Sequence, residues 1–264
     1  MIFMPIDVDF DFTSDTPHFW EGFWDRKDGL GYCGNDPDSC SPTLREYHRM
    51  LWSRELPNGR TMKLEPGYGT DYLVWDGMRF GSDSITTGFR YSRMRPLIDR
   101  VADSMEDYHG WMESVIRKTY TMGGTIIFPK HRYSINQIRG NSRCIGDRWD
   151  LTLECIRRFY CDEASPMSWC LEQDRRFFDL FVDFRGYVDF FLLQDCVSSD
   201  YSEVRLWLDT DPFDGDPLPR TVDEYMSWID ANLDFVERRN RRISALARSM
   251  GHRNDNVLPC HHPV

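Results

Sequence analysis

The sequence has no run of about 18 or more apolar residues, the length that a membrane-spanning helix needs. Its first seven residues lack the basic and apolar regions of a secretory signal, so we expect a soluble, unexported, cytoplasmic protein that does not bind membranes. The motifs GxxxxGKS/T, GxSxG and HExxH are also absent. P-loop hydrolysis, elbow-type acyl hydrolysis and simple zincin chemistry are therefore not leading candidates.

Basic residues are in deficit, with 32 Lys and Arg against 43 Asp and Glu and a net charge of -11. This balance argues against a protein that coats nucleic acid nonspecifically. The eight cysteines are scattered, which fits reduced thiols better than a disulfide framework. Cys33, Cys40 and His48 lack the close spacing of a zinc knuckle, and Cys260 lies near a chain end. We therefore predict no zinc site and assign no metal ligands, and no residue pattern identifies a cofactor.

The chain is long and apolar enough to bury a full core, with 264 residues, 41% hydrophobic content and 14% aromatics. No internal repeat, low-complexity segment or flexible linker divides it. We predict one domain over residues 1–264, in which a β-rich part (1–128) and a helical part (129–264) are the natural lobes.

The first half reads mainly as strands. Apolar residues alternate with aspartates over 6–12, and a strand series over 61–91 contains an Asp76-Gly77 turn. Residues 125–128 give a further short strand. Helices are predicted from Pro42 to near Pro57 and from Pro96 to Thr119, the second with a break at Gly110.

The second half reads mainly as helices. We predict a helix over 149–160 capped by Asp147, an apolar helical segment over 177–193, and a final helix opened by a Thr221 and Glu224 capping box. One more strand is predicted over 204–208. The whole pattern indicates an α+β fold, in which a mostly antiparallel sheet from the N-terminal half packs against helices largely from the C-terminal half.

Charge reverses locally between residues 130 and 148, where five basic residues stand against one acid. Arginine forks match phosphate geometry, and amide side chains can donate hydrogen bonds to phosphate oxygens or base edges. An alternative stays open, in which these arginines pair with the protein's own surplus acids. The predicted ligand-binding residues are Lys130, His131, Arg132, Arg139, Asn141, Arg143 and Arg148.

Three carboxylates follow this stretch on the predicted helix, near one edge. Asp147, Asp150 and Glu154 are spaced three and four residues apart, with Arg157 and Arg158 one turn further on. Such carboxylates could act as a general base or hold a divalent cation beside a bound phosphate. The alternative is a helix cap followed by pairs such as Glu154 with Arg158.

The two ends of the chain carry opposite charge. Residues 1–40 hold nine acids and two bases, whereas residues 237–253 hold six arginines and one glutamate. We expect the arginines of the last helix to face this acidic segment, with phosphates as the alternative partner. Asp7, Asp9 and Asp11 would stand too far apart on a strand to bind one metal ion.

Residues 75–91 and 134–195 resemble a family of bacterial proteins of about this length. The similarity lies in Ile-Asn-Gln-Ile-Arg-Gly at 135–140, Asp-Arg-Trp-Asp-Leu-Thr-Leu-Glu at 147–154 and Asp-Phe-Arg-Gly-Tyr-Val at 183–188. The family is common in gut-dwelling Gram-positive organisms and is classed as a domain of unknown function. The resemblance implies a bacterial, single-unit protein and transfers no activity, cofactor or catalytic residue.

From the residues themselves we predict a binder of a phosphate-bearing ligand, a nucleotide or nucleic acid, with phosphodiester cleavage or nucleotidyl transfer as the chemistry if the ligand is turned over. The competing prediction is a noncatalytic module that binds a protein partner, or its own copy, through opposed acidic and basic surfaces.

Overall fold

A computed structural model describes residues 6–24, 35–68, 71–85, 94–209 and 213–255. Eleven α-helices fall within these ranges: α1 (Phe19–Trp24), α2 (Pro37–Cys40), α3 (Pro42–Trp52), α4 (Arg95–Asp103), α5 (Tyr108–Thr119), α6 (Ile135–Asn141), α7 (Trp149–Tyr160), α8 (Ser168–Gln173), α9 (Arg175–Phe178), α10 (Phe184–Phe191) and α11 (Val222–Asp255). Short 3-10 turns lie at Met122–Gly124, Asp179–Phe181 and Gln194–Cys196. None of the helices in the described ranges combines the length and apolar character needed to cross a membrane.

Four antiparallel strands form one sheet in the order β1 (Glu65–Pro66), β2 (Leu73–Trp75), β3 (Met78–Ser84) and β4 (Thr125–Pro129). The predicted Asp76-Gly77 turn joins β2 to β3. Both residues have positive φ, 50° and 74°, as a two-residue turn that matches the twist of a hairpin requires. β4 is buried along its whole length. The α+β class predicted from the sequence is confirmed.

Buried side chains from both halves of the chain form one hydrophobic cluster. Its densest part is aromatic, because rings from α9, α10 and the 3-10 turn between them contact one another with centroids 5.0–6.3 Å apart; these rings are Phe177, Phe178, Phe181, Tyr187, Phe190 and Phe191. Trp52 of α3 joins this group through Phe191 at 5.2 Å. The single-domain organisation stays a prediction.

The long helix α11 begins at the predicted capping box. The Glu224 N–H donates to Thr221 Oγ1 at 3.1 Å, and the Thr221 N–H donates back to Glu224 Oε2 at 3.3 Å. Further along, α11 lies against the turn at Met122–Gly124, where a Cβ on Gly123 would stand 2.2 Å from the Val236 carbonyl oxygen. Glycine therefore permits the close approach of helix and turn.

The predicted strand over residues 6–12 is wrong. The Asp9 N–H donates to Asp7 Oδ1 at 3.1 Å, and the Thr13 N–H donates to Asp11 Oδ1 at 2.9 Å. Aspartates that bind the backbone two residues on stabilise turns, so they compete with a strand ladder. The alternating pattern therefore arises from a run of turns.

Two further local predictions need correction. The break between α4 and α5 falls before Asp107, which caps α5 and accepts the Gly110 N–H at 2.8 Å. The predicted strand over 204–208 reduces to one bridge between Val197 and Val204, because Asp150 Oδ2 captures the Trp207 N–H at 2.8 Å. Residues 86–91 of the predicted strand series lie outside the described residues.

Candidate functional site

The stretch from 130 to 148 separates into buried and exposed cations. It contains the short helix α6, and Arg139 and Arg148 are both 0% exposed. Lys130 is half-buried, while His131, Arg132 and Arg143 are exposed. Asn141 is exposed and donates to the Gln137 carbonyl at 2.6 Å. The seven predicted ligand residues therefore do not act as one surface.

Arg139 is neutralised from within the protein. Its Nη1 lies 2.9 Å from Asp83 Oδ2 and 3.2 Å from Asp147 Oδ1. The same guanidinium donates to the Ser84 and Asp147 carbonyls, each at 2.9 Å, and to Thr152 Oγ1 at 3.2 Å. For Arg139 the structure favours internal pairing over an external anion.

Arg148 is held in the same way by Asp150 and the chain near α11. Its Nε and Nη2 both donate to the Asp150 carboxylate, the first at 3.0 Å, and its Nη1 donates to the Pro217 carbonyl at 2.8 Å. Both side chains of this pair are fully buried. Arg148 thus fixes α7 against a distant part of the chain.

The three predicted catalytic carboxylates each have arginine partners. Asp147 contacts Arg139, Asp150 contacts Arg148, and Glu154 accepts from Arg157 and Arg158 at 2.8 Å each. Asp147 does not cap α7, whose N-cap is Arg148; the backbone of Asp147 is left-handed at φ 59°. Within the described ranges no three His, Cys, Asp or Glu side chains are arranged to hold a metal ion. Catalysis by these carboxylates stays a prediction that this geometry does not support.

Two of the seven predicted residues, Lys130 and His131, line an open groove of about 660 Å³. We define the basic groove by its charged and titratable lining residues, Arg79, Lys130, His131, Asp174 and Arg176. The sheet places the first two side by side, since the Lys130 N–H donates to the Arg79 carbonyl at 2.8 Å just beyond the pairing of β3 with β4. Asp174 and Arg176 come from the junction of α8 and α9 on the opposite wall.

The groove keeps positive charge available to a ligand. Lys130 pairs with Asp71 at 2.5 Å and Arg176 with Asp76 at 2.9 Å, but these side chains are a third or more exposed. Exposed pairs of this kind contribute at most about 1 kcal/mol and exchange readily for another anion. Arg79 is exposed, lies over the Tyr72 ring at 5.1 Å, and has no carboxylate partner within the described part of the chain.

One buried carboxylate completes the groove. Asp174 is 6% exposed, and its Oδ1 lies 2.8 Å from His131 Nε2. Its Oδ2 is buried and has no hydrogen-bond partner among the described residues. Burial raises the pKa of Asp174, and the contact with His131 partly offsets that rise. A buried acceptor without a partner in a groove wall marks a place where a ligand N–H or O–H would be stabilised.

His131 is positioned by contacts at both ring nitrogens. The Tyr133 N–H approaches Nδ1 at 3.3 Å, which makes Nδ1 an acceptor and leaves Nε2 to donate to Asp174. Neither nitrogen is then available to take a proton from a ligand. The arrangement suits binding better than general base catalysis.

A second polar cluster lies inside the protein. The Trp52 indole donates to His48 Nδ1 at 3.0 Å, so His48 Nε2 donates to Ser82 Oγ at 3.0 Å, and Ser82 donates to Asp38 Oδ1 at 2.6 Å. Burial lowers the pKa of His48 to about 3. The imidazole therefore faces Ser82 with a proton, which is the wrong tautomer for activating a serine nucleophile.

Two carboxyl groups are costly to ionise: Asp38 of this cluster and Asp83, which follows Ser82 in the chain. Burial raises the pKa of Asp83 to about 7, against the opposing effect of Arg139, and burial together with Asp36 raises the pKa of Asp38. A raised carboxyl pKa means that the folded protein binds more protons than the unfolded chain between about pH 4 and pH 7. Asp83 therefore stabilises the fold less as the pH rises through that window.

The native chain should lose stability relative to Asp83→Asn as the pH rises. We expect the difference between their free energies of unfolding, native minus variant, to fall by at least about 1 kcal/mol between pH 4 and pH 7. Comparing the two chains cancels the opposite contribution of His48, which both share. Urea unfolding at several pH values measures the difference. The matched control Asp99→Asn, whose side chain is 63% exposed, should run parallel to the native chain. Parallel curves for Asp83→Asn as well would contradict the assigned pKa rise.

Sequence reasoning found Lys130 and His131 but missed Arg79, Asp174 and Arg176. A signal for Arg79 was present, because it follows the recognised Asp76-Gly77 turn by two residues. The Asp174-Arg175-Arg176 run carries no motif, and only the tertiary fold brings it opposite residue 130.

The architecture is that of an α+β protein whose sheet edge and a short helical junction enclose a cationic groove. The chain matches, over residues 6–243, the model of a family described as a family of unknown function (DUF6994). It belongs to that family, in agreement with the resemblance seen in the sequence. No curated protein and no solved structure matches the chain.

Proposed function

We propose that this protein binds a phosphate-bearing ligand, a nucleotide or a nucleic acid strand, in the basic groove. One observation carries the proposal: Arg79, Lys130 and Arg176 line the same open groove as a buried carboxylate oxygen without a partner. Cations hold phosphate oxygens, and the carboxylate accepts from a hydroxyl or amine elsewhere on the ligand. The ligand is therefore an anion that also carries hydrogen-bond donors.

This proposal moves the predicted site without abandoning its chemistry. Lys130 and His131 are retained, and Arg132 stands beside them, while Arg139 and Arg148 become structural. Phosphodiester or nucleotidyl chemistry would need a free base or a metal site, and the carboxylates predicted for that role are engaged by arginines. We therefore propose binding as the function and leave catalysis out of it.

The competing proposal is a protein-interaction module with opposed acidic and basic surfaces, and the arginines of α11 are one source of basic surface. Arg238 pairs with Asp234 at 2.9 Å, Arg241 with Glu237 at 2.7 Å, and Arg242 with Asp195 at 2.6 Å. For these residues the structure shows partners on α11 and at Asp195, in place of the predicted contact with the acidic N-terminal segment. In the described part of that segment, Asp11 pairs with Arg117 of α5. The basic groove differs from α11 in holding Arg79, an exposed cation with no carboxylate partner among the described residues, and it is therefore the stronger candidate for recognition.

Replacing Arg79 by Ala should weaken binding of adenosine monophosphate about 10-fold, because a charged hydrogen bond to phosphate contributes about 1.5–3 kcal/mol. Isothermal titration calorimetry at 50 mM and 200 mM salt measures the affinity, which should fall as salt rises. Arg241→Ala removes the same charge from an exposed site on α11 and should bind as the native chain does.

Three outcomes decide the proposal. Loss of affinity in Arg79→Ala with none in Arg241→Ala supports the groove. Equal losses in both variants would mean that net charge alone attracts the ligand. No binding by the native chain of adenosine monophosphate, pyrophosphate or a hexanucleotide at millimolar concentration would overturn the proposal.

A further inference from the structure

An aromatic pair stands exposed beside the basic groove. Tyr133 is 44% exposed and Trp169 is 47% exposed, and their ring centroids lie 6.1 Å apart with an interplanar angle of 69°. The Arg132 guanidinium lies 5.2 Å from the Tyr133 ring centroid. We define Arg132, Tyr133 and Trp169 as the aromatic patch. It joins two large exposed rings and a cation at one place on the surface.

Both aromatic residues lie within four positions of a residue that lines the groove. Tyr133 follows His131 by two residues, and its backbone N–H contacts the His131 ring. On α8, Trp169 lies four residues before Gln173, which lines the groove, so the two side chains are neighbours one helical turn of about 5.4 Å apart. The aromatic patch therefore lies near the groove, beside His131 and one helical turn from Gln173.

Exposed Trp and Tyr rings beside cations are the side chains that stack on nucleobases. In a nucleotide one sugar links the base to the phosphate, so an aromatic patch that adjoins a cationic groove suits the two ends of one ligand. Asp174 lines the groove and its Oδ2 has no hydrogen-bond partner among the described residues, so this carboxylate is the acceptor that suits a sugar hydroxyl. The patch, the Asp174 carboxylate and the cations thus supply one kind of contact each for base, sugar and phosphate.

We propose that the ligand of the basic groove is a nucleotide whose base stacks on the aromatic patch while its phosphate lies among Arg79, Lys130 and Arg176. This inference rests on the proposed function and adds the base as the recognised group. The nucleotide is either free or one residue of a single strand, since both present the same base, sugar and phosphate.

The test compares ligands with and without a base in matched variants. Trp169→Ala should bind adenosine monophosphate about 10-fold more weakly than the native chain and ribose 5-phosphate equally well, because only the first ligand can stack. Trp169→Phe, which keeps a ring, should recover most of the affinity. Arg79→Ala should lose affinity for both ligands. Circular dichroism and thermal unfolding confirm that each variant is folded, as expected for changes at exposed side chains.

The outcomes separate this inference from the proposed function. If Trp169→Ala binds adenosine monophosphate as tightly as the native chain while Arg79→Ala binds it more weakly, the stacking inference fails and the proposed function of the groove is still supported. If the native chain binds pyrophosphate but neither of these ligands, the stacking inference alone fails. If it binds none of them and no hexanucleotide, the proposed function fails as well. If sedimentation shows self-association of the native chain that Trp169→Ala abolishes, with no change in nucleotide affinity, the patch is a contact between copies and the inference fails.

A second pair of probes identifies the source of the nucleotide. A hexamer of adenosine binds more tightly than adenosine monophosphate if the site recognises a single strand, because neighbouring phosphates add contacts along the cations. Equal affinity indicates a free mononucleotide. Either result supports base recognition, provided that Trp169→Ala weakens the tighter ligand.

Discussion

Replacing Arg139 by Met is expected to lower the free energy of unfolding by about 3–5 kcal/mol, because the fully buried guanidinium disappears and two carboxylates that are only 18% exposed lose their cation. Asp83 and Asp147 would lose their guanidinium, and the Ser84 carbonyl would lose a donor. Methionine fills most of the volume of the arginine side chain. The decrease in the free energy of unfolding therefore reflects lost hydrogen bonds and charge more than lost packing. Urea unfolding followed by circular dichroism at pH 8 measures it.

The pH dependence of this loss provides an internal check. At pH 5, below the raised pKa of about 7, Asp83 is largely protonated, and a neutral carboxyl group gains less from the Arg139 guanidinium than a carboxylate does. The destabilisation should therefore be smaller at pH 5 than at pH 8. The control is Arg143→Ala, an exposed change in the same basic stretch that should cost less than about 0.5 kcal/mol. Similar unfolding midpoints for both variants would show that Arg139 is not a structural cross-link.

Arg139 and Arg143 also show how far sequence alone reaches. They are the same residue type, four positions apart in one polar stretch, yet one is 0% exposed and the other is exposed. A local signal existed, since Arg139 lies one helical turn after the fully buried Ile135. The partner that decides the matter, Asp83, is 56 residues away, and no pattern in the stretch identifies it.

In the fold, too, features set by neighbouring residues were predicted, whereas features set by residues far apart in sequence were not. The Thr221 and Glu224 capping box and the Asp76-Gly77 turn were predicted because each depends on neighbouring residues alone. The strand over 6–12 failed because alternating aspartates satisfy both a strand pattern and a series of turns. The basic groove needed Arg79 and Asp174 to meet across the fold, so sequence predicted the type of ligand chemistry and only part of its location.

Replacing Arg239 by Met is expected to lower the free energy of unfolding by about 2–4 kcal/mol. Arg239 is fully buried on α11, and no carboxylate pairs with it within the described ranges. It donates instead to three backbone carbonyls, those of Phe191 at 3.0 Å, Gly123 at 2.9 Å and Thr125 at 2.6 Å. Each buried carbonyl left without a donor costs about 1–3 kcal/mol, which outweighs the gain from removing a poorly solvated charge.

The buried site should require the guanidinium group itself, so the expected loss of stability depends on the group that replaces it. Burial lowers the pKa of Arg239 to about 10, and the three carbonyls, together with the Trp52 ring 5.9 Å away, offset the cost of holding the ion. Arg239→Lys keeps the charge but not the forked donors, and it should be destabilised nearly as much as Arg239→Met. Arg238→Ala, the neighbouring change at a 47% exposed side chain, should cost about 0.5 kcal/mol or less. Full stability of Arg239→Lys would instead show that the charge alone, without the fork, joins α11 to the sheet.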